Sequence, residues 1–281
     1  MLNLANSEKY RDLNPQQIVV KLADEGKYIA SESSFYRLLR AEKLMAHRQK
    51  SKPRVNHPPR SLVATGANQV WSWDITYLPS IIKGKYYYLY LVEDIFSRFI
   101  VGYSVNEVER SDLASVLIED CYVTQSVDRN QIYLHSDNGS SMKGATMLAT
   151  LERLGVIPSF SRPGVSNDNP YSESLFKTLK YCPRYPWKAF ESLQDAKSWV
   201  WTFTHWYNTE HLHSGIRFVT PYMRHYGLEN KVLSYRDILY KKSRSKNPLR
   251  WSKGTRNWNP IQEVALNPEK EKKSLIKRIE N

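Results

Sequence analysis

The sequence has few cysteines and no long apolar segment. Its 281 residues include only Cys121 and Cys182, which excludes a disulfide scaffold and a four-ligand cysteine site. We expect both to be buried or idle thiols in a reducing compartment. No stretch approaches 18 consecutive apolar residues, which excludes a membrane-spanning helix, and the first 20 residues lack the pattern of a signal peptide. We therefore expect an intracellular protein.

Glycine and proline are also sparse, at 11 and 14 residues, whereas hydrophobic residues make up 41% of the chain. This composition argues against a low-complexity or disordered protein. The length allows one large domain or two modest ones.

Acidic residues are few at the two ends of the chain. The formal net charge is +13, of which residues 1–60 carry +6 and residues 241–281 carry +8, while residues 61–240 carry −1. The runs Lys43–Arg60 and Lys241–Arg256 contain six and seven basic residues and no acidic one. Such runs are often solvated tails. Because Trp251 lies within the second run and Trp258 follows it closely, we favour binding of both ends to nucleic-acid phosphates.

Residues 1–45 are predicted to contain a helix-turn-helix. Asn14 is a plausible N-cap with Pro15 at the first helical position, and Ser31 or Ser34 is a plausible cap of the next helix. Two helices with a short turn and basic residues on the second fit a DNA-reading motif, with Arg37 and Arg40 as its candidate DNA contacts. A plain helical hairpin is the alternative.

Residues 46–68 contain three prolines and no hydrophobic periodicity. They are predicted to form a basic linker, in which Arg48, Lys50 and Arg54 are candidate DNA contacts. Residues 69–230 are predicted to form the core domain, and residues 231–281 a basic C-terminal extension.

The core pattern predicts strands at 70–78, 86–96, 98–105, 132–135 and 156–160, with helices at 111–126, 142–154, 169–181 and 193–207. Three consecutive strands with short connections indicate an antiparallel meander. The order βββαβαβα predicts an α/β fold with a ribonuclease-H-like, mixed five-stranded sheet and flanking helices. The tryptophans expected in its core are Trp71, Trp73, Trp199, Trp201 and Trp206.

Three carboxylates occupy places where an acid is unexpected or useful. Asp74 lies among strand-forming aromatic residues, Asp137 follows the fourth strand, and Glu173 falls in the first turn of a helix. If the first and fourth strands are neighbours, these side chains can meet at one edge and hold Mg²⁺. With 28 acids in the chain, the spacing alone would be a weak signal.

Longer motifs make that signal specific. The segments NQVWSWDITYLP, HSDNGS and SRPGVSNDNPYSESLFKTLK resemble the catalytic domain of bacterial insertion-sequence transposases related to retroviral integrases. The resemblance is greatest to the downstream, catalytic frame of the two-reading-frame family. That family's active site is Asp, Asp, then 35 residues, then Glu, and 35 residues separate Asp137 from Glu173. A basic residue seven positions after the Glu is typical, and Lys180 stands there.

The resemblance implies a DDE recombinase. Asp74, Asp137 and Glu173 would hold two Mg²⁺ ions, for which Mn²⁺ can substitute, and would nick the element ends so that the freed 3′-hydroxyl attacks a second phosphodiester. Lys180 and Lys177 share a helix face with Glu173 and are candidate DNA contacts.

The implied partners are DNA at the element ends and at the target, further copies of the chain in a synaptic complex, and the product of an upstream frame. No membrane partner is expected, and the location expected is the bacterial cytoplasm, with the nucleoid. The alternative function is a non-catalytic DNA-binding regulator, or an accessory half of a frameshifted transposase.

Overall fold

The computed structural model describes residues 1–45, 61–128, 131–162 and 168–268. The chain divides into two units, Met1–His57 and Pro58–Asn281. Among the described residues, no helix combines the length and the apolar character needed to cross a bilayer. Cys121 and Cys182 are both buried free thiols, as expected.

The first unit contains the helices α1 (Leu2–Ala5), α2 (Pro15–Asp24) and α3 (Glu32–Ala41). Helix α2 begins as predicted, because Asn14 and Gln17 exchange side-chain-to-backbone hydrogen bonds in a capping box. Ser31, rather than Ser34, caps α3. The helices surround a small core whose buried members are Ala5, Tyr10, Ile18, Leu22, Phe35 and Leu39.

The described part of the second unit contains the strands β1 (Leu62–Ala64), β2 (Val70–Pro79), β3 (Tyr86–Asp94), β4 (Ile100–Asn106), β5 (Tyr133–Ser136), β6 (Ile157–Phe160) and β7 (Val264–Leu266). Five of them form one sheet in the order β4-β3-β2-β5-β6. The β2–β3 and β3–β4 pairs are antiparallel, and the β2–β5 and β5–β6 pairs are parallel. The predicted ribonuclease-H-like, mixed five-stranded sheet is thus confirmed, including its antiparallel meander.

Helices cover both faces of this sheet. The helices of the described part of this unit are α4 (Ser111–Thr124), α5 (Ser140–Lys143), α6 (Ala145–Leu154), α7 (Pro170–Tyr181), α8 (Leu193–Thr209), α9 (Pro221–His225) and α10 (Glu229–Lys246). Of these, α4 and α6 cover one face, and α7 and α8 cover the other. One core joins the sheet to α4 and α6 and includes Trp71 and Trp73. A second core joins the opposite face to α7 and α8 and includes Leu89 and Leu91.

Two expectations about these helices are wrong. The helix predicted over 142–154 is interrupted at Gly144, between α5 and α6. A Cβ at Gly144 would lie 2.6 Å from the Cβ of Ser111, so the close approach of α4 requires glycine there. Trp201 on α8 is 63% exposed and lies outside the core, because the buried face of α8 carries Val200 and Phe203 instead.

Part of the C-terminal region packs back onto the sheet. Strand β7 pairs antiparallel with β1 as a separate two-stranded sheet, and Leu62 and Leu266 are buried in this pairing. The Arg224 side chain on α9 donates to the carbonyl oxygens of Phe96 and Ile261, both at 2.7 Å. Residues near both ends of the second unit therefore belong to one packed structure.

Candidate active site

Asp74 lies in the middle of β2, on the face covered by α7. Side chains alternate along a strand, so Trp71 and Trp73 point into the core with α4 and α6, while Ser72 and Asp74 point to the other face. Asp74 is opposite Leu91, which belongs to the core with α7 and α8. The acid among aromatic residues is therefore explained by strand alternation.

Asp137 lies beside Asp74. Strands β2 and β5 pair in parallel with Ser72 opposite His135, and the two aspartates each stand two residues further along. Neighbouring strands are about 4.8 Å apart, so this register brings the carboxylates together. The Oδ1 of Asp137 accepts from the Gly139 N–H at 2.8 Å, and a Cβ at Gly139 would lie 3.0 Å from that oxygen.

Helix α7 brings Glu173 to the same face. The Ser72 hydroxyl lies 2.5 Å from Asn169 Oδ1 and 2.7 Å from Ser172 Oγ. Asn169 Nδ2 also donates to the Trp73 carbonyl at 3.3 Å. These groups are buried, so they fix the start of α7 to β2 just before Asp74. Glu173, the next residue after Ser172, is exposed.

Asn169 is the residue immediately before α7. It stands at the N-cap position, but its side chain makes no capping hydrogen bond. The amide instead connects α7 to β2, as described above. Strand alternation could have indicated Ser72 as a neighbour of the site, since it precedes Asp74 by two residues, but nothing local pointed to its partner.

His135 and Asp168 support the site without being available as cation ligands. His135 Nε2 donates to the Asp168 carbonyl at 2.9 Å, and Nδ1 lies 3.0 Å from Ser159 Oγ. Burial lowers the pKa of His135 below its usual 6.5, which favours the neutral ring. The Arg162 side chain binds both oxygens of Asp168 at 2.8 and 3.0 Å and holds the pKa of that carboxyl below its usual range.

The electrostatics of the site centre on Asp74. Its pKa is raised from the usual 3.8 to about 7, first because burial removes water from the carboxylate and then because Asp137, Glu173 and Glu109 add negative charge nearby. The hydrogen bond that Asp74 Oδ1 accepts from the Ile75 N–H, at 2.8 Å, acts in the opposite direction. Crowded carboxylates of this kind are relieved by a bound cation.

Glu109 is an acid near the site that the sequence motifs did not indicate. Its Oε1 accepts from the Ser141 hydroxyl at 2.8 Å, and its Oε2 from the Tyr77 hydroxyl at 3.5 Å. Glu109 follows β4 in a segment that resembles ordinary surface loop, so no local signal could have identified it.

The residue types at the site suit a hard divalent cation. Asp74 and Asp137 are side by side, and each uses one oxygen in a local backbone hydrogen bond. Within the described ranges, however, no three His, Cys, Asp or Glu side chains are arranged to hold one ion together. Glu173 is exposed and has no side-chain hydrogen bond or ion pair to another described residue.

The candidate DNA contacts are in part accessible. Lys177 and Lys180 are exposed on α7, four and seven residues after Glu173, and Arg37 and Arg40 are exposed on α3. The remaining candidates, Arg48, Lys50 and Arg54, lie outside the described residues.

Comparison with known proteins gives consistent matches. Residues 64–166 and residues 154–221 match two family models, each described as an integrase core domain. The transposase for insertion sequence element IS904 of Lactococcus lactis subsp. lactis is 33% identical over 165 residues, covering 56% of this chain and 61% of that protein. Transposase InsF for insertion sequence IS3A of Escherichia coli is 34% identical over 117 residues, covering 42% of this chain and 40% of that protein.

The chain thus aligns with only 40 to 61% of the length of these relatives. Among solved structures, the HTLV-2 integrase catalytic core domain in complex with magnesium is 17% identical, with a TM-score of 0.40, covering 57% of this chain and 97% of that one.

Proposed function

We propose that this chain is a DNA transposase of the integrase-core superfamily, because residues 64–166 and 154–221 match integrase core domain models and the IS904 transposase is 33% identical over 165 residues. It would nick the ends of an insertion sequence and transfer the freed strands to target DNA. The observation that supports this most is the register that puts Asp74 beside Asp137 on the sheet face where α7 presents Glu173. For Asp74 and Asp137 to lie side by side, β2 and β5 must be neighbours in the sheet, and they are.

Asp74, Asp137 and Glu173 are the residues that would hold the metal. Carboxylates with retained water and phosphate oxygens are the usual ligands of Mg²⁺, and we propose two such ions, with Mn²⁺ as a substitute. When bound, paired ions of this kind stabilise the attacking and leaving oxygens of an in-line phosphoryl transfer.

The remaining residues of the site position these ligands and the DNA. Ser72 and Asn169 hold the start of α7 against β2, which limits where Glu173 can reach. Lys177 and Lys180 lie on the same face of α7 as Glu173, where a lysine can bind a backbone phosphate as a point charge.

DNA at the element ends and at the target is the substrate in this proposal. Because strand transfer joins two ends to one target, we propose a homo-oligomeric synaptic complex, with the upstream-frame product as a further partner. Arg37 and Arg40, exposed on α3, remain candidates for sequence reading by the first unit.

The test compares the Asp137→Asn variant of the full chain with Asp120→Asn, which removes an exposed carboxylate from α4. The substrate is the DNA that flanks the gene, labelled at one end, with Mg²⁺ or Mn²⁺. We expect Asp137→Asn to lose nicking and joining but retain DNA binding, and Asp120→Asn to behave as the parent. Normal cutting by Asp137→Asn would overturn the site assignment. Binding without cutting by the parent would favour the regulator instead.

A further inference from the structure

A basic cavity lies on the second unit. Its lining comes from two segments, one that follows α8 and one that follows α10. It has a volume of about 520 Å³ and is lined by Ser214, Arg217, Phe218, Lys253, Gly254, Thr255, Arg256 and Asn257. Three of these residues are cations, and no Asp or Glu is among them. No ion pair of the described residues involves Arg217, Lys253 or Arg256.

The wall that carries Arg217 is a tightly held turn. Arg217 and Phe218 both adopt left-handed backbone angles, with φ of 62° and 58°, which is costly for residues with side chains. The Arg236 side chain stabilises this turn by donating to the carbonyl oxygens of Arg217 and Phe218 at 3.1 and 2.9 Å. Arg217 Nε in turn donates to the Asn259 carbonyl at 3.2 Å, so the turn and the C-terminal segment are joined.

The opposite wall places Arg256 against aromatic rings. Its guanidinium lies 4.8 Å from the Phe218 ring centre and 5.6 Å from that of Trp258. Trp258 is 6% exposed and packs with Ile216, Val219 and Leu233. Such stacking orients a guanidinium while leaving its edge N–H groups available for oxygen acceptors.

Like charges that converge on one cavity repel one another, so their arrangement is favourable when an anion lies between them. The charge also continues beyond the cavity, because residues 241–250 are exposed and include Lys241, Lys242, Arg244, Lys246 and Arg250. Lys241 is paired with Asp237 at 2.6 Å, but the other four cations of this segment, which precedes the cavity residues Lys253 and Arg256 in the chain, favour a polyanion over an isolated phosphate.

We propose that this cavity binds a phosphate of the DNA backbone, with Arg217, Lys253 and Arg256 as its ligands. The inference deepens the proposed function, from which it takes DNA as the polyanion. It assigns to the C-terminal segment a built phosphate site, distinct from the carboxylates of Asp74 and Asp137.

The test is fluorescence anisotropy of a labelled 40-base-pair DNA duplex with the full chain, over a range of NaCl concentrations. Lys253→Gln and Arg256→Gln are compared with Lys188→Gln, which removes one positive charge from an exposed loop after α7. We expect each cavity variant to weaken binding about tenfold and to lower the salt slope by about 1. Lys188→Gln should stay within about twofold of the parent, with its slope unchanged.

The Arg256→Lys variant tests whether the charge or the packing of Arg256 matters. If the charge binds DNA, this variant should recover much of the affinity that Arg256→Gln loses. Equal losses in the Lys253→Gln, Arg256→Gln and Lys188→Gln variants would overturn the proposal. Unchanged duplex affinity in both Lys253→Gln and Arg256→Gln, together with binding of inorganic phosphate that the parent shows and these variants lose, would reassign the cavity to a free phosphate compound and overturn the DNA assignment.

The result of this DNA-binding test does not depend on whether the chain cuts DNA. The Asp137→Asn variant should bind the duplex as the parent does. Adding Lys253→Gln to it should lower its affinity for the duplex by the same factor as in the parent. If the chain never cuts DNA but Lys253→Gln and Arg256→Gln still weaken binding selectively, the cavity assignment stands while the proposed transposase activity fails.

Discussion

Replacing Asp74 with asparagine should stabilise the cation-free protein while removing a proposed cation ligand. Asparagine keeps the size of the side chain and can keep the hydrogen bond that Oδ1 accepts from the Ile75 N–H. What it removes is a negative charge that is half-buried near Asp137, Glu173 and Glu109. Relief of that charge should exceed any loss of local hydrogen bonding.

The expected size follows from the pKa of Asp74, which rises from 3.8 to about 7 in the folded protein. An acid with a raised folded pKa binds more protons when folded, so its contribution to stability is greatest below pH 3.8 and is lost as the pH rises to 7. At 1.36 kcal/mol per tenfold change in proton affinity, the loss is about 4 kcal/mol at pH 8 and about 2 kcal/mol at pH 5. The asparagine variant avoids this loss.

Thermal unfolding followed by tryptophan fluorescence reports on the relevant unit, because all 8 tryptophans lie in residues 58–281. In EDTA at pH 8, the Asp74→Asn variant should melt about 10 °C above the parent, and the gap should narrow towards pH 5. Mg²⁺ should raise the melting temperature of the parent but not of the variant. The reasoning is refuted if the variant melts at or below the parent at pH 8, or if the gap does not narrow in acid.

Two further predictions concern packing in the core and at the start of α7. Gly102→Ala on β4 should lower the free energy of unfolding by about 3 kcal/mol, because its Cβ would lie 2.1 Å from the Cys121 Sγ on α4. The same melting assay should show recovery when Cys121→Ala is added, and no recovery would contradict this cause. Asn169→Ala should cost about 1–3 kcal/mol, since it leaves the Trp73 carbonyl unpaired. It should also slow strand cleavage without weakening DNA binding; unchanged melting and cleavage would show that Asn169 does not position α7.

The sequence predicted those parts of the fold that depend on local pattern. The mixed sheet was predicted from strand alternation around Trp71 and Trp73 and from the βββαβαβα order. The start of α2 was predicted from its capping residues, Asn14 and Pro15. The candidate carboxylates were found because Asp74 conflicts with its strand context and because the motifs around Asp137 and Glu173 are specific.

Features that depend on tertiary contact were not predictable. The break at Gly144 exists because α4 approaches closely at Ser111, and the exposure of Trp201 depends on which face of α8 meets the sheet. Glu109 reaches the site through the loop after β4. Asn169 positions α7 by accepting a hydrogen bond from Ser72, which is 97 residues away in the sequence. None of these contacts leaves a periodic or compositional trace in the chain.

The C-terminal segment connects the basic cavity to the helix that carries Glu173. Lys253 and Arg256 line the cavity, and a few residues later the Ala265 carbonyl accepts a hydrogen bond from the Tyr171 hydroxyl at 2.8 Å. Asn267 Nδ2 then donates to the Asp168 carbonyl at 3.0 Å, just before α7 begins. The start of α7 is therefore held on one side by β2 and on the other by this segment. A DNA phosphate bound in the cavity would order the same stretch of chain that fixes the third carboxylate.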